Sequence, residues 1–185
     1  NLGLTLERTG RDAEALSSFE QASRLLAESM DPQLAAGAAC LRLCRFDDAI
    51  TWLNGVVDSD PSIEQAWAML VDSHASNEDH EAAETTFYLA QDALPDPSAS
   101  VLVAMSGSLL SRNLLDRATW CAREALKLDS SVQGGRLRLA SALVATGQGQ
   151  QASQILLQEL REDPGNVQAL LLHADVLAES GRTNE

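Results

Sequence analysis

The chain has 185 residues and a formal net charge of −14, from 27 acidic and 13 basic side chains. Apolar residues make up 45% and aromatics only 4%, which permits a packed core and favours helices packed closely through Ala and Leu. No apolar run approaches the roughly 18 residues of a membrane span, and the acidic surface repels nucleic acid and anionic lipid.

Three cysteines, Cys40, Cys44 and Cys121, are too few for a disulfide framework. Reduced thiols in a cytoplasmic protein are the expectation, with a periplasmic location left open. Charge is unevenly spread. From Phe46 to Ser111 there is no Lys or Arg, against twelve Asp and Glu, so this stretch would steer a basic partner inward.

Taken in chain order, apolar periodicity predicts helices over residues 1–9, 12–28, 31–43, 46–58, 62–76, 79–93, 97–112, 115–128, 134–146, 149–162 and 165–180. The first opens on Leu2, Leu4 and Leu6 with no cap before it, so the chain is expected to be a fragment beginning inside a helix. Asp31-Pro32 predicts an N-cap followed by a proline at the first helical position. Asp60-Pro61 and Asp163-Pro164 predict sharp breaks. Most of these helices are too short to persist alone in water, so neighbours must hold them.

The elements repeat. Ala15, Ala49, Ala83, Ala118 and Ala152 recur at spacings of 34, 34, 35 and 34. Four residues after each lie Phe19, Leu53, Phe87, Ala122 and Leu156. Before each Ala is a turn, occupied by Gly10, Cys44, Glu78, Asn113 and Gly147, with Gly181 opening another. Upstream again comes a close crossing of two helices at Gly3, Gly37, Val71, Ser106, Ala140 and Ala174. A fixed period with two helices per period marks an α-solenoid, each repeat burying its apolar face on the next.

These columns resemble the tetratricopeptide repeat (TPR) family, whose pattern runs W-x2-L-G-x2-Y, then A-x3-F, then P. Residues 62–95 match it at Trp67, Leu70, Ala83, Phe87, Ala90 and Pro95, and depart from it at Val71, His74 and Glu78. The resemblance covers essentially the whole chain. It implies an all-α, right-handed superhelical solenoid of antiparallel helix pairs, one domain over 1–185. Its repeats would span approximately 1–30, 31–61, 62–96, 97–131 and 132–164, with a partial one at 165–185.

In this family the first helix of each repeat lines a groove. The resemblance therefore places Leu34, Ala38 and Leu41, then Gln65, Ala68, Asp72 and Ala75, along it. Val103, Gly107 and Leu110 follow, then Leu137, Ser141 and Val144, and last Leu171, Asp175 and Ala178. A stripe this apolar marks a partner surface. Chaperone-binding members clamp a peptide carboxylate with Lys, Arg and Asn, but the corresponding places here hold Leu, Ala, Met and Asp. Sugar-transferase members carry an Asn ladder. Here Asn1 fits it, followed by Ala35, Met69, Ala104, Arg138 and Leu172.

The expected function is thus a non-catalytic scaffold or adaptor that holds an apolar or amphipathic protein segment, such as a basic helix pairing with Asp72. Two rivals stand beside it: the repeat region of a larger enzyme or export machine, and a repeat protein that associates with itself. Trp67 fits a core slot, whereas Trp120 falls at a usually polar place on a second helix, where it would contact a partner.

No cofactor or metal is expected. Gly147–Ala152, "GQGQQA", satisfies G-x-G-x-x-A, but a dinucleotide turn needs a strand before it, and here it is the turn between paired helices. Cys40 and Cys44 lie one helical turn apart, with no further ligands answering them nearby in sequence. His74 and His80 stand at ring-bearing core positions and His173 at a core Leu position, where satisfied imidazoles are expected rather than general bases.

Overall fold

The computed structural model describes residues 2–26, 29–179 and 181. Among them are eleven helices and no strand. The chain divides into two compact units, Asn1–Pro97 and Ser98–Glu185.

The first unit holds α1 (Leu2–Arg8), α2 (Asp12–Leu25), α3 (Asp31–Arg42), α4 (Phe46–Ser59), α5 (Glu64–Ser76) and α6 (His80–Ala93). The second holds α7 (Ala99–Ser111), α8 (Leu115–Leu128), α9 (Gly135–Ala145), α10 (Gly149–Glu162) and α11 (Val167–Glu179). Within each unit every helix packs on its chain neighbour, and first helices also touch one another: α3 on α5, α7 on α9 and α9 on α11. First helices therefore form one layer of each unit.

Each helix pair is joined by a turn with a single left-handed residue. Gly10 and Gly147 have φ of +72° and +75°, and Cys44, Glu78 and Asn113 adopt +55°, +62° and +57° in the same column; Gly181, past the end of α11, also lies at +72°. The amide of the residue that follows closes the turn onto the preceding helix, as in Arg45 N to Cys40 O at 2.9 Å and Gln148 N to Leu143 O at 2.8 Å.

Small residues let the paired helices cross closely. A Cβ on Gly37 would come within 2.8 Å of Leu53 Cδ2 and Cγ, and the Phe19 ring fills the equivalent space beside Gly3. Ser106, at this column in the second unit, donates to Ala118 O at 2.9 Å across the α7–α8 crossing. The predicted bulky column lies in the core: Leu53, Ala122 and Leu156 are fully buried, Phe19 and Phe87 nearly so. Burying each Leu or Phe contributes about 1.5–3 kcal/mol, and this burial holds helices that would fray alone. Trp67 is buried and donates its indole N–H to Pro61 O at 2.8 Å.

Helix starts carry local caps. Asp79 accepts from Ala82 N at 3.0 Å, Ser98 from Val101 N at 3.3 Å and Asn166 from Ala169 N at 3.1 Å. These caps place the starts of α7 and α11 two residues inside the sequence expectation. Asp31 departs from it: α3 begins at Asp31 itself, after Met30, with no side-chain cap bond and Pro32 in its first turn. Asp60, Asp129 and Asp163 instead fold their own loops, each carboxylate accepting the backbone N–H two residues on, at 3.0, 2.8 and 3.0 Å. The α2 helix ends at Leu25, short of the predicted 28. Residues 27 and 28, Asn1 of the predicted first helix and Ser180 of the last lie outside the described residues.

Polar ties link neighbouring helices at their ends. Arg42, ending α3, bonds Asp12 at 2.7 Å and Glu7 at 2.9 Å. Asn77, just past α5, donates to Asp47 at 3.0 Å. In the second unit Arg136 on α9 reaches forward to Glu159 at 3.3 Å and Glu162 at 2.7 Å on α10.

Candidate interaction surfaces

In the first unit the predicted groove residues lie on α3 and α5. Leu34, Ala38 and Leu41 are half-buried, Ala68 is buried and Gln65 exposed. Asp72 and Ala75 are half-buried, and Asp72 is held in an interaction within the chain. In the second unit Val103 is buried on α7, with Gly107 and Leu110 half-buried beside it. Leu137, Ser141 and Val144 are half-buried on α9. Leu137 and Val144 also pack on the core formed by Leu139, Leu143 and Leu156. Ser141 turns its hydroxyl back to Leu137 O at 2.9 Å. On α11, Leu171 is 63% exposed, and Asp175 and Ala178 are exposed.

The geometry adds a residue to this layer that the sequence showed only as a break in an Asn ladder. Arg138 lays its guanidinium over the bare backbone of Gly107: a Cβ there would sit 2.9 Å from Arg138 Cζ and 3.1 Å from Nη2. The Arg138 side chain makes no hydrogen bond or ion pair among the described residues. The layer thus pairs apolar side chains with one guanidinium spread across a helix crossing.

A second surface lies on α8. Trp120 is 57% exposed. It borders a hollow of about 510 Å³ lined also by Asp116, Thr119, Arg123, Lys127 and Gln148. Lys127 pairs with Glu124 at 2.6 Å, while Arg123 has no ion pair among the described residues.

A third feature bridges α10 and α11. The Ser153 hydroxyl and His173 Nε2 are 2.9 Å apart, beside a hollow of about 610 Å³ that also involves Val144, Leu157 and Val176. The contact ties two helices together.

Among the described residues no three His, Cys, Asp or Glu side chains gather as metal ligands, and Cys40 and Cys44 lie apart in environment, buried and exposed respectively. Burial pushes the Cys40 thiol up and the Cys121 thiol to about 11, which keeps both protonated. Burial also pulls the His74 pKa below the ordinary histidine range, against the opposing pull of Asp79. His80 Nδ1 and Ser108 Oγ are buried without a hydrogen-bond partner among the described residues. Gly147 of the G-x-G-x-x-A stretch is a helix–helix turn and Ala152 a fully buried crossing residue. No helix is long and apolar enough to cross a membrane among the described residues.

The tetratricopeptide repeat family profile matches residues 1–62, 42–96 and 137–185. No curated protein matches the chain significantly. Solved structures match in fold. A thermophilic TPR protein of Thermus thermophilus is 19% identical, with 96% of each chain covered and a TM-score of 0.83. A tetratricopeptide repeat protein from Parabacteroides merdae is 14% identical, covering 98% of this chain and 71% of that one, with a TM-score of 0.77. YrrB, a TPR protein with an unusual peptide-binding site, is 16% identical over 90% of this chain and 85% of its own, with a TM-score of 0.56. With the repeat columns buried as the pattern requires, this chain belongs to the tetratricopeptide repeat family.

Proposed function

We propose that the protein is an interaction scaffold whose first-helix layer holds an extended or helical apolar segment of a protein partner. The TPR fold supports a protein-interaction role in general, and peptide binding by the related fold of YrrB is consistent with it. The observation that carries the finer reading is the second unit's first-helix layer. Leu110, Leu137 and Val144 are half-buried there, Leu171 is 63% exposed, and Arg138 spans Gly107. Apolar positions that keep part of their surface in water gain when a partner covers them.

The groove is preformed, since its helices are fixed by the core beneath, so little ordering opposes binding on this side. A partner would present apolar side chains at helical or extended spacing. The first unit has a half-buried apolar surface of the same kind on α3, at Leu34, Ala38 and Leu41.

The test is selection of peptides from a displayed random library on the wild-type protein, with affinity then measured against Leu137→Glu/Leu171→Glu. Apolar or amphipathic peptides that lose at least about tenfold in affinity on the double variant support the reading. Peptides that bind both proteins equally, or selection that yields no peptides, would count against it.

A further inference from the structure

The hollow on α8 is unlike the rest of the second-helix surface. The column of Trp120 holds Ser17, Thr51, Thr85 and Gln154 in the other repeats, all of them exposed. A solenoid places small polar groups at this position because it faces water. Only at 120 does the column carry an indole, and it remains 57% exposed. Along the same face Asp116, Trp120, Arg123 and Lys127 follow at helical spacing, all exposed.

The equivalent face of α6 has the opposite character. Glu81, Thr85, Tyr88 and Asp92 occupy the matching columns and all are exposed. Tyr88 is 52% and Leu89 53% exposed. The Tyr88 ring is held edge-on by Phe87, with centroids 5.5 Å apart at 69°. No Lys or Arg occurs on α6. The contrast extends to the whole chain: residues 1–97 carry 18 acidic and 5 basic side chains, whereas residues 98–185 carry 9 and 8.

We propose that the Trp120–Arg123 face of α8 docks the acidic, Tyr88-bearing face of α6 on a second copy of this chain. Charge complementarity chooses this occupant. Like surfaces from residues 46–111 repel one another, having no basic group between them, while α8 offers an exposed guanidinium that has no ion pair among the described residues. Each face also supplies an aromatic ring, so that on docking Trp120 meets apolar surface, and Arg123 can lie over Tyr88 or reach Asp92. The contact joins unlike surfaces, and each copy carries both halves of it. It uses second helices and leaves the first-helix layer open, and therefore stands or falls independently of the groove.

The experiment is sedimentation velocity on the whole chain over a wide concentration range, at low salt and at about 1 M salt, where the Debye length falls to about 3 Å. Trp120→Thr installs the residue type this column carries elsewhere, and Arg123→Glu reverses the charge. Both lie on exposed positions, and circular dichroism verifies that the helices persist. The expected result is mass that rises with concentration at low salt and falls back at high salt. Each variant should weaken association by at least about tenfold. Mixing Arg123→Glu with Asp92→Arg should restore association between the two, and Leu137→Glu/Leu171→Glu should leave it unchanged. A monomer at every concentration overturns the proposal. So does association that ignores Trp120→Thr and Arg123→Glu, that strengthens with salt, or that vanishes in the groove variant.

Discussion

The guanidinium of Arg138 rests on Gly107, at a distance where a methyl group would touch its central carbon: 2.9 Å from an added Cβ to Cζ. Gly37 faces Leu53 at a similar 2.8 Å, yet the two glycines differ in what a side chain would displace. Arg138 is the far end of a flexible chain, whereas Leu53 is fully buried in the core.

Gly107→Ala should therefore fold well. It gains up to about 1 kcal/mol of helix propensity and moves Arg138 aside, seen as a shift of the Arg138 Nε–H resonance. Gly37→Ala should instead lose about 1–3 kcal/mol through overpacking against Leu53. Urea denaturation of the pair measures the contrast, and equal effects of the two substitutions would contradict it.

The left-handed turn column yields a second expectation. Cys44, Glu78 and Asn113 hold φ between +55° and +62°, a region costing an L-residue about 1–2 kcal/mol. Replacing Glu78 or Cys44 by Gly should raise stability by about 0.5–1 kcal/mol after the extra freedom of Gly in the unfolded chain is counted. Asn113→Gly should gain less, because Asn tolerates this conformation. Gly147→Ala, at φ +75° with nothing within 4 Å of the added carbon, should lose about 1 kcal/mol from backbone strain alone. Thermal melts of the four variants would rank them.

Thiol chemistry separates the cysteines. Cys44 is exposed, Cys40 and Cys121 are buried, and burial holds the Cys121 thiol at about 11. Since the thiolate is the reactive form, a disulfide-exchange reagent at neutral pH should count one fast thiol in the folded protein. The other two should appear only in denaturant. Fast reaction of Cys121 would show that its helix opens locally.

Acid should act on the first unit through His74. Its folded pKa is lowered, first by burial, so the unfolded chain takes up the proton at higher pH. The neutral-imidazole stability is intact above the unfolded value of about 6.5 and falls as pH drops below it. His74→Leu, the residue this column carries at 109 and 143, should remove that slope. Asp60 and Asp129 contribute in a separate window. Their pKa values are lowered by the Ser62 and Ser131 hydrogen bonds, so their share persists until pH falls through the carboxylate range. Denaturation midpoints of wild type and His74→Leu across pH resolve the two windows.

Much of this was legible in the sequence because repetition multiplies weak signals. One alanine predicts nothing, but five at spacings of 34 or 35 located the crossings, and the turn column was readable even where Cys44, Glu78 and Asn113 replace Gly. Trp67 was legible as a core residue and Trp120 as an exposed one, since each column has a fixed environment. Arg138 on Gly107 was not. It depends on two side-chain positions in neighbouring first helices, and periodicity gives a face, not the path of a long flexible chain across it. The start of α3 at residue 31 was legible but the cap was not, because an Asp-Pro pair reads the same whether the Asp precedes the helix or, as here, is its first residue with no cap bond. The half-burial of Leu137 and Val144 was also hidden, because one side chain divides its surface between core and groove.

Gly3 with Phe19, and Gly37 with Leu53, are complementary in size across a single helix pair. Such a repeat is inherited best as a block. A recombination event that cuts in the loop between repeats carries both halves of the fit into the descendant. One that cuts between a first helix and its own second helix sets a Phe against a residue chosen for something smaller. The history of the gene should therefore show duplications and losses in whole periods, with breakpoints in the loops that precede each first helix.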